Sequence, residues 1–315
     1  MGKKVLVTGG AGFIGSFVSK ELELQGYEPV ILDDLSTGEE RNISFLNKSH
    51  FIQGSVLSEK DLDRIPFNEL YGCLHLAAKG DVQESIDLPF EIMKVNLEGT
   101  HRVLERCRQQ QVPFLLTSTC MVYGFTPQTG KLPEKGINES FPTEPLSPYG
   151  ASKLAAEELC ISYHHSYAMK IRIARPFNTF GPHQAPTNKE GGVIPVFLHR
   201  IMQEKPIFIF GDGLQTRDFL YVEDCARFLV SYLFAENSPM ILNAGTGHRI
   251  SVLDLATMIA TSPGHIEYVA HPHPQSEIHD LVCDASLAYE TIGWKPQTTL
   301  AEGIARNRNW LKATL

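Results

Sequence analysis

Residues 3–22 of the chain read Lys3-Lys4-Val5-Leu6-Val7-Thr8-Gly9-Gly10-Ala11-Gly12-Phe13-Ile14-Gly15-Ser16-Phe17-Val18-Ser19-Lys20-Glu21-Leu22. A short apolar run, three glycines at three-residue spacing and a helical apolar pattern predict a strand, a tight turn and a helix. Gly9 would permit the turn, Gly12 would let a pyrophosphate approach the backbone, and Gly15 would let the helix pack close to the strand. Because the free amides at the start of the helix would meet the phosphates, the stretch predicts a dinucleotide-binding turn.

Two acidic residues follow the second predicted strand. The apolar run at 29–32 ends in Asp33 and Asp34, about twenty residues after the glycine turn, where a dinucleotide fold places an acid that accepts from a ribose hydroxyl. Asp33 comes directly after the strand and is the preferred candidate. A carboxylate at this point would repel a 2′-phosphate, so the pattern favours NAD over NADP. The alternative is a solvated acidic turn, which would not need the glycine turn upstream.

Strands and helices are predicted to alternate along the first half of the chain. Helical patterns separate apolar runs at 5–8, 30–32, 50–53, 72–76, 114–118 and 170–175, which is typical of an α/β fold with a Rossmann-type, doubly wound parallel sheet. We expect an NAD-binding domain at 1–175, to which some later segments return, and a smaller α/β substrate-binding region at 176–315. Ligands should lie beyond the carboxyl ends of the strands. There Leu76, Ala77 and Ala78 leave room for a cofactor, and residues 125–145 form a candidate lid.

Composition argues against several classes of function. The 315-residue chain has a formal net charge of −8, which gives no electrostatic basis for binding nucleic acid. No apolar stretch approaches the ~20 residues of a membrane span, and the six cysteines show no C-x-x-C spacing. Neither His164-His165 nor His271-Pro272-His273 has a spacing that suits metal binding. We therefore expect a cytoplasmic protein with buried thiols and no metal, nucleic-acid or membrane partner.

The sharpest chemical signal is Tyr149-Gly150-Ala151-Ser152-Lys153, which opens a predicted helix. Tyrosine and lysine at positions i and i+4 lie on one helix face. An ammonium near a phenol favours the phenolate, so Lys153, together with the positive charge of a nicotinamide, would lower the pKa of Tyr149. Tyr149 would then act as a general base that takes a hydroxyl proton. Thr119, at the end of the fifth predicted strand, would orient the same hydroxyl.

Taken together, these motifs resemble an extended short-chain dehydrogenase/reductase of the NAD-dependent epimerase/dehydratase family, which acts on nucleotide sugars. The resemblance covers nearly the whole chain and rests on the glycine turn, His75-Leu76-Ala77-Ala78, Asn96, and residues 118–124, 147–153, 175–182, 211–219 and 293–296. It implies NAD as the cofactor, a nucleotide sugar as the substrate, and a homodimer formed by helices near 88–109 and 149–167. Apolar residues there would fit that interface or the core equally: Val95, Val103, Leu104, Leu154, Ala155 and Leu159.

The resemblance also implies further site residues. Implied cofactor contacts are Gly9, Gly12, Phe13, Ile14, Gly15, Asp33, Asp34, Ser55, Val56, Leu76, Ala77, Ala78, Asn96, Tyr149 and Lys153. Implied substrate contacts are Thr119, Met121, Asn178, Val193 and Arg217, whose guanidinium fork suits a diphosphate. Two positions depart from the family pattern. Ser55 stands where many relatives have an aspartate, and near 272–284 this chain offers His271 or His273 where relatives commonly place an arginine on the diphosphate.

The two residues after Thr119 bear on the class of reaction. Sugar 4,6-dehydratases of the family carry an aspartate and a glutamate there, whereas this chain has Cys120 and Met121. Methionine cannot transfer a proton, and a thiol is a poor acid or base. Epimerisation needs only hydride removal, rotation of the keto sugar and hydride return, so we expect a 4-epimerase of a UDP-sugar. The alternative is a 4,6- or 5,6-dehydratase, or a keto-sugar reductase, in which Cys120 is catalytic; a tunicamycin-pathway 5,6-dehydratase also has cysteine after this threonine.

Overall fold

Strands and helices alternate along the N-terminal half of the chain, as predicted. The computed structural model describes residues 2–47, 50–124, 133–186, 192–260, 263–271 and 273–314. Its strands are β1 (Lys4–Thr8), β2 (Glu28–Asp33), β3 (Phe51–Gln53), β4 (Leu70–His75), β5 (Phe114–Thr117), β6 (Ile171–Pro176), β7 (Asn178–Phe180), β8 (Ile207–Phe210), β9 (Thr216–Arg217), β10 (Phe219–Tyr221), β11 (Ile241–Ala244), β12 (Ile250–Ser251), β13 (Ile266–Val269) and β14 (Asp280–Leu281).

Helices connect most of these strands. They are α1 (Phe13–Leu24), α2 (Glu59–Leu62), α3 (Val82–Asp87), α4 (Pro89–Met93), α5 (Thr100–Gln109), α6 (Pro148–Tyr167), α7 (Val193–Met202), α8 (Val222–Leu233), α9 (Val252–Ile259), α10 (Ser286–Ile292) and α11 (Leu300–Thr314). The helical region expected near 88–109 is not one regular helix, because the π-helical segment Lys94–Gly99 separates α4 from α5. Cys120–Val122 forms a short 3-10 turn after β5.

The main sheet contains seven parallel strands in the order β11-β6-β5-β4-β1-β2-β3. Val5, Leu6 and Val7 of β1 are fully buried although successive side chains point to opposite faces. Such continuous apolar runs are typical of parallel strands that helices cover on both sides. The outer strand β11 comes from far along the chain and pairs with β6, where Asn243 lies opposite Arg175. The fold is therefore the predicted Rossmann-type α/β architecture.

Two apolar layers hold the helices against this sheet. One layer joins Val7 and Leu74 of the sheet to Val18 of α1 and to buried residues of α8. The other joins Leu6 and Phe114 to buried residues of α5 and α6. Full burial of a side chain of this size contributes about 1.5–3 kcal/mol to the stability of the fold. The two layers therefore hold the sheet, and the residues at the ends of its strands, in a fixed position.

The C-terminal half adds three small sheets, β10-β7, β12-β9-β14 and β13-β8. They share an apolar cluster with α7, α9 and α11 that includes Phe197, Ile209, Leu255 and Leu311. Phe13, Ile14 and Phe17 of α1 pack against the same cluster. The start of α1 therefore lies at the junction between the main sheet and the C-terminal elements.

Candidate active site

A cavity of about 930 Å³ opens at the carboxyl ends of β1, β2, β4, β5 and β6, where ligands bind in folds of this type. Most residues predicted for the site line this cavity. They are Gly9, Gly12, Phe13, Ile14, Gly15, Asp33, Asp34, Ser55, Val56, Leu76, Ala77, Ala78, Thr119, Cys120, Met121, Tyr149, Lys153 and Asn178. The candidate cofactor residues and the candidate catalytic residues therefore share one space.

The glycine turn forms the floor of the cavity. Gly9 has a φ of +70°, and a Cβ atom there would lie 2.8 Å from the backbone nitrogen of Ala77. A Cβ atom on Gly15 would lie 2.0 Å from the carbonyl oxygen of Gly9, so only glycine lets α1 start this close to β1. Gly12 is the N-cap of α1 and leaves the first amides of the helix open to an anion.

Asp33 ends β2 and is 7% exposed. Its two carboxylate oxygens accept from the backbone nitrogens of Ala11 and Leu35, each at 2.9 Å. Burial raises the pKa of this carboxyl group, while the backbone hydrogen bonds act in the opposite direction. Its remaining lone pairs can accept from two ribose hydroxyls. Asp34 accepts from the backbone nitrogen of Ser36 at 3.0 Å, which stabilises the following turn.

Asn96 does not line the cavity, and the prediction that it contacts the cofactor directly lacks support in this geometry. Its amide nitrogen donates to the carbonyl oxygen of Lys79 at 3.0 Å and to the Ser152 hydroxyl at 2.9 Å. Its amide oxygen accepts from the backbone nitrogen of Lys79 at 2.8 Å. The fully buried Asn96 thus fastens the loop after β4, which lines the cavity, to the helix that carries Tyr149 and Lys153.

Thr119, Tyr149 and Lys153 meet at the wall formed by β5 and α6. Thr119 and Tyr149 both line the cavity, and the Thr119 side chain acts to lower the pKa of the Tyr149 phenol. Ser147 caps α6 by accepting from the backbone nitrogen of Gly150 at 3.2 Å, which fixes the first turn and therefore the direction of the Tyr149 side chain. The three groups predicted to carry the chemistry are thus brought together by the ends of two neighbouring elements.

In the protein alone, burial raises the pKa of the Tyr149 phenol to about 12. Cys120 acts in the same direction, and the Thr119 side chain acts in the opposite direction. The predicted lowering of this pKa by Lys153 together with the charge of a nicotinamide concerns the enzyme with its cofactor and stays a prediction. Burial also lowers the pKa of Lys153 to about 8.

Cys120 lines the cavity but is only 3% exposed. Burial raises the pKa of its thiol to about 12, while the positive charge of Arg217 acts in the opposite direction. A thiol with this pKa stays protonated near neutral pH and is a poor nucleophile or base. Cys120 thus offers no readily ionised group to this wall of the cavity.

Three cavity residues carry buried polar atoms that lack a hydrogen-bond partner within the described ranges. These atoms are Thr117 Oγ1, Asn178 Oδ1 and Gln184 Oε1. A buried polar atom without a partner costs about 1–3 kcal/mol, so the cavity is suited to a ligand that donates hydrogen bonds. The helix amides can donate to the phosphates of NAD, and the unpartnered oxygens and the Asp33 carboxylate can accept from its ribose hydroxyls and carboxamide.

Two residues predicted to contact the substrate lie outside the cavity wall. Val193 is the first residue of α7, next to Gly192, which does line the cavity. The Arg217 guanidinium donates to the carbonyl oxygens of Thr216 and Ile278 at 2.8 Å and 2.7 Å and pairs with Glu277. The Glu277 carboxylate therefore occupies a guanidinium donor that a diphosphate would otherwise use.

Sequence reasoning missed several residues of the cavity wall. His183, Gln184 and Ala185 follow β7, and Trp310 belongs to α11. The His183 ring lies 5.8 Å from the Trp310 ring, and its Nδ1 hydrogen-bonds the Ser16 hydroxyl at 2.9 Å. A polar loop after a strand end was the available signal for His183. The sequence offered no such signal for Trp310, because helix packing places it there.

The described residues contain no cluster of histidine, cysteine, aspartate or glutamate that could hold a metal ion. No helix among them is long and apolar enough to cross a membrane. All six cysteines are buried and free. Residues 125–132 of the candidate lid lie outside the described part of the chain.

Comparison with known proteins supports the chemistry suggested by this geometry. Residues 5–245 match the model of the NAD dependent epimerase/dehydratase family. The chain is 34% identical over 309 residues to a UDP-glucose 4-epimerase of Mycolicibacterium smegmatis, covering 96% of each chain. It is 33% identical over 331 residues to a dTDP-D-glucose 4,6-dehydratase of Bos taurus, covering 98% of this chain and 89% of the relative.

Similarity extends to solved structures. The crystal structure of a UDP-glucose 4-epimerase of Thermus thermophilus in complex with NAD is 32% identical to this chain. The two superpose with a TM-score of 0.87, covering 99% of this chain and 100% of the other. The glycine turn, the site groups on β5 and α6 and these matches lead to one assignment: the chain belongs to the NAD-dependent epimerase/dehydratase family and is an enzyme whose cofactor is NAD.

Proposed function

We propose that the protein is an NAD-dependent 4-epimerase of a UDP-sugar. Family membership leaves both epimerase and dehydratase chemistry open, because relatives of both kinds match at similar identity. The observation that carries the choice is the pair Cys120 and Met121 on the cavity wall next to Thr119. The carboxylates that line the described cavity belong to the segments 33–39 and 81–84, and none belongs to the segment 117–121.

A dehydratase has to protonate a leaving hydroxyl and remove a second carbon-bound proton. Met121 has no ionisable proton, and burial keeps the Cys120 thiol protonated by raising its pKa to about 12. An epimerase needs a single proton-transfer group at the sugar hydroxyl. Tyr149, which lines the same cavity as Thr119, would supply that group, so the chemistry available on this wall matches epimerisation better than dehydration.

In the proposed reaction, Tyr149 takes the proton of the C4 hydroxyl and later returns it, while Thr119 orients the sugar oxygen. NAD would supply reversible hydride chemistry at C4, and the positive charge of its ring would favour the tyrosinate. Lys153, which is 2% exposed and lines the cavity, would add positive charge beside the reacting groups.

We propose further cofactor and substrate contacts from the places of the residues in the cavity. The residues from Gly9 to Gly15 would hold the pyrophosphate of NAD, and Asp33 the adenosine ribose, since both lie on the first two strand ends. Ser55 and Val56 would lie against adenine. Asn178, whose buried Oδ1 lacks a partner in the described structure, would accept from the substrate, and Arg217 would bind the diphosphate after release from Glu277.

The mass of the product tests this proposal. Purified protein is incubated with UDP-glucose and, separately, UDP-galactose, and the products are separated and weighed by mass spectrometry. An epimerase gives the other sugar with unchanged mass from either direction. Loss of a water would support the dehydratase alternative, and gain of two hydrogens a reductase. Absence of conversion across a panel of UDP-, dTDP-, GDP- and CDP-sugars would refute the proposal.

Two variants assign the groups. Tyr149→Phe removes only the phenolic hydroxyl, so we expect turnover to fall by about 10²–10⁴-fold, the contribution typical of a general base, while NAD stays bound. Cys120→Ala should keep turnover within a few-fold if the reaction is epimerisation. Near-wild-type turnover of Tyr149→Phe would refute the assigned base, and loss of turnover in Cys120→Ala would favour a thiol-dependent dehydratase.

We also propose that the protein forms a homodimer through the side of α4, α5 and α6. Val103 and Leu104, which would fit an interface or the core equally, are fully buried within the chain, so the core explanation applies to them. Val95 lines the cavity. Apolar surface remains at Leu88, Phe90 and Tyr167, which are 52%, 74% and 46% exposed. Sedimentation equilibrium tests the proposal, and a monomer at all protein concentrations would contradict it.

A reducing compartment such as the cytoplasm is the proposed location. The support is that six cysteines are buried and free, which is typical of proteins in reducing compartments. Fractionation of the source cells with an antibody against the protein tests it, and recovery in an oxidising compartment would contradict it.

A further inference from the structure

A buried ion pair lies beside the catalytic groups of α6. Tyr149, Lys153 and Glu157 occupy positions i, i+4 and i+8 of this helix, so they share one face. The side chains of Glu157 and Arg175 are 1% and 4% exposed. Arg175 donates to the two carboxylate oxygens of Glu157 from Nε at 3.0 Å and from Nη2 at 2.5 Å, and the Ser118 hydroxyl donates to the first of them.

Arg175 is itself fixed from the opposite side. Its Nη1 donates to the Tyr123 hydroxyl oxygen at 2.8 Å, and the Tyr123 hydroxyl donates to Asn243 Oδ1 at 2.8 Å. Asn243 lies opposite Arg175 in the pairing of β11 with β6. A movement of the guanidinium with Glu157 would break its hydrogen bond to Tyr123, which is in turn bonded to Asn243, so these contacts hold the carboxylate in one place.

Unlike the Glu157 carboxylate, the Lys153 ammonium group makes no hydrogen bond or ion pair with the described part of the chain, although Glu157 is one helical turn away. The titratable groups that act with it are Glu157 and Cys160 of its own helix and His75 of β4. Burial lowers the pKa of Lys153 to about 8, and the Glu157 carboxylate acts in the opposite direction. His75 stays neutral because burial lowers its pKa to about 3.

We propose that Glu157 is a positioning residue of the active site, which supplies the counter-charge for the Lys153 ammonium from one helical turn away, while Arg175 and Ser118 prevent a direct ion pair. A direct ion pair would keep Lys153 charged but would turn its donors away from the cavity. Without a carboxylate nearby, a lysine at this depth would lose its proton more readily. The clamped carboxylate gives Lys153 both properties, because it remains charged and keeps its donors for ligands.

The protonation of Lys153 can be measured directly. The protein is prepared with ¹³C-labelled lysine, and the Lys153 signal, assigned by its loss in Lys153→Arg, is followed with pH by NMR in the absence of nucleotides. We expect Glu157→Gln to move the midpoint of this titration to lower pH by about one pH unit or more. An unchanged midpoint in folded Glu157→Gln protein would overturn the proposal.

Asp224→Asn is the matched control. Asp224 of α8 is also a fully buried carboxylate that pairs with an arginine, Arg227, but it does not act on the pKa of Lys153. We expect its substitution to leave the Lys153 midpoint unchanged. An equal shift in Asp224→Asn would overturn the proposal, because the effect would then follow from general loosening of the fold.

Glu157→Gln leaves Arg175 buried without its partner, so that variant alone could fail to fold. The double variant Glu157→Gln/Arg175→Met removes both charges and gives the same test. The midpoint should still fall, because the carboxylate and not the guanidinium is among the charges that act on Lys153. An unchanged midpoint in the folded double variant would overturn the proposal equally.

A kinetic readout separates positioning from mere structural support. We expect the alkaline limb of the kcat/KM profile to move to lower pH by the same amount as the Lys153 midpoint. A loss of activity that is equal at every pH would overturn the proposal. The role of Lys153 in catalysis rests on the proposed function, but the NMR titration does not, so failure of the epimerase assignment would be seen separately in the product assay.

Discussion

The cost of burying Lys153 leads to a prediction about stability. Burial lowers the pKa of this ammonium group from 10.5 to about 8, and a difference of this size corresponds to about 3 kcal/mol of folding free energy. Methionine has a similar length and no charge. We therefore expect Lys153→Met to be more stable than the wild type by up to about 3 kcal/mol near pH 7 when no nucleotide is bound, while its turnover is lost.

The gain in stability should depend on pH in a defined direction. Since the pKa of Lys153 is lower in the folded protein than its ordinary value, the unfolded chain binds more protons between about pH 8 and pH 10.5. The penalty is therefore complete below about pH 8 and disappears as the pH rises to 10.5. The difference between Lys153→Met and the wild type should shrink across the same window.

Urea unfolding at about pH 7 and about pH 10 measures this difference as a change in midpoint at constant slope. Lys60→Met is the control, because Lys60 is an exposed residue of α2. It should change the free energy of unfolding by less than about 0.5 kcal/mol at either pH. A Lys153→Met protein that is no more stable than the wild type near pH 7, or whose advantage is the same at both pH values, would refute the reasoning.

Three further substitutions probe the site. Burial raises the pKa of Tyr149 to about 12, so the absorbance difference between nucleotide-free wild type and Tyr149→Phe should show no tyrosinate at about pH 9; a tyrosinate band there would contradict the burial argument. Gly15→Ala places a Cβ atom 2.0 Å from the Gly9 carbonyl oxygen and should cost about 1–3 kcal/mol in urea unfolding and weaken NAD binding in calorimetry. Gly264→Ala, whose Cβ atom would meet no atom within 4 Å, is its control, and equal effects would count against the clash. Asp33→Asn should raise the affinity for NADP relative to NAD, and an unchanged ratio of dissociation constants would show that Asp33 does not select the cofactor.

Local sequence patterns were sufficient where the physical cause is local. The spacing of Gly9, Gly12 and Gly15 predicts the turn because a side chain at these positions would approach backbone atoms of the turn or of the neighbouring strand end. Tyr149 and Lys153 are four residues apart, which places both on one helix face because a helical turn takes about 3.6 residues. The parallel sheet follows from runs such as Val5–Val7, which are apolar on both faces.

The side-chain partners of distant residues could not be predicted from the sequence. Asn96 binds Lys79 and Ser152 instead of lining the cavity, and these partners are 17 and 56 residues away. Arg217 is paired with Glu277, 60 residues away. Resemblance to a family gives the position of such residues in the chain but not the side chains that occupy their donors. Only tertiary packing brings these partners into reach.

The sequence by itself determined the α/β class, the glycine turn, the acid after β2 and the identity of the residues at the catalytic wall, because each depends on spacing along one or two elements. Tertiary structure decided the electrostatic state of that wall. Tyr149 and Lys153 have pKa values of about 12 and about 8 because packing removes water from both. Glu157 lies one turn after Lys153 on α6, and Arg175 of β6 holds its carboxylate. Burial and charge depend on which distant segments come together, and spacing along the chain does not carry that information.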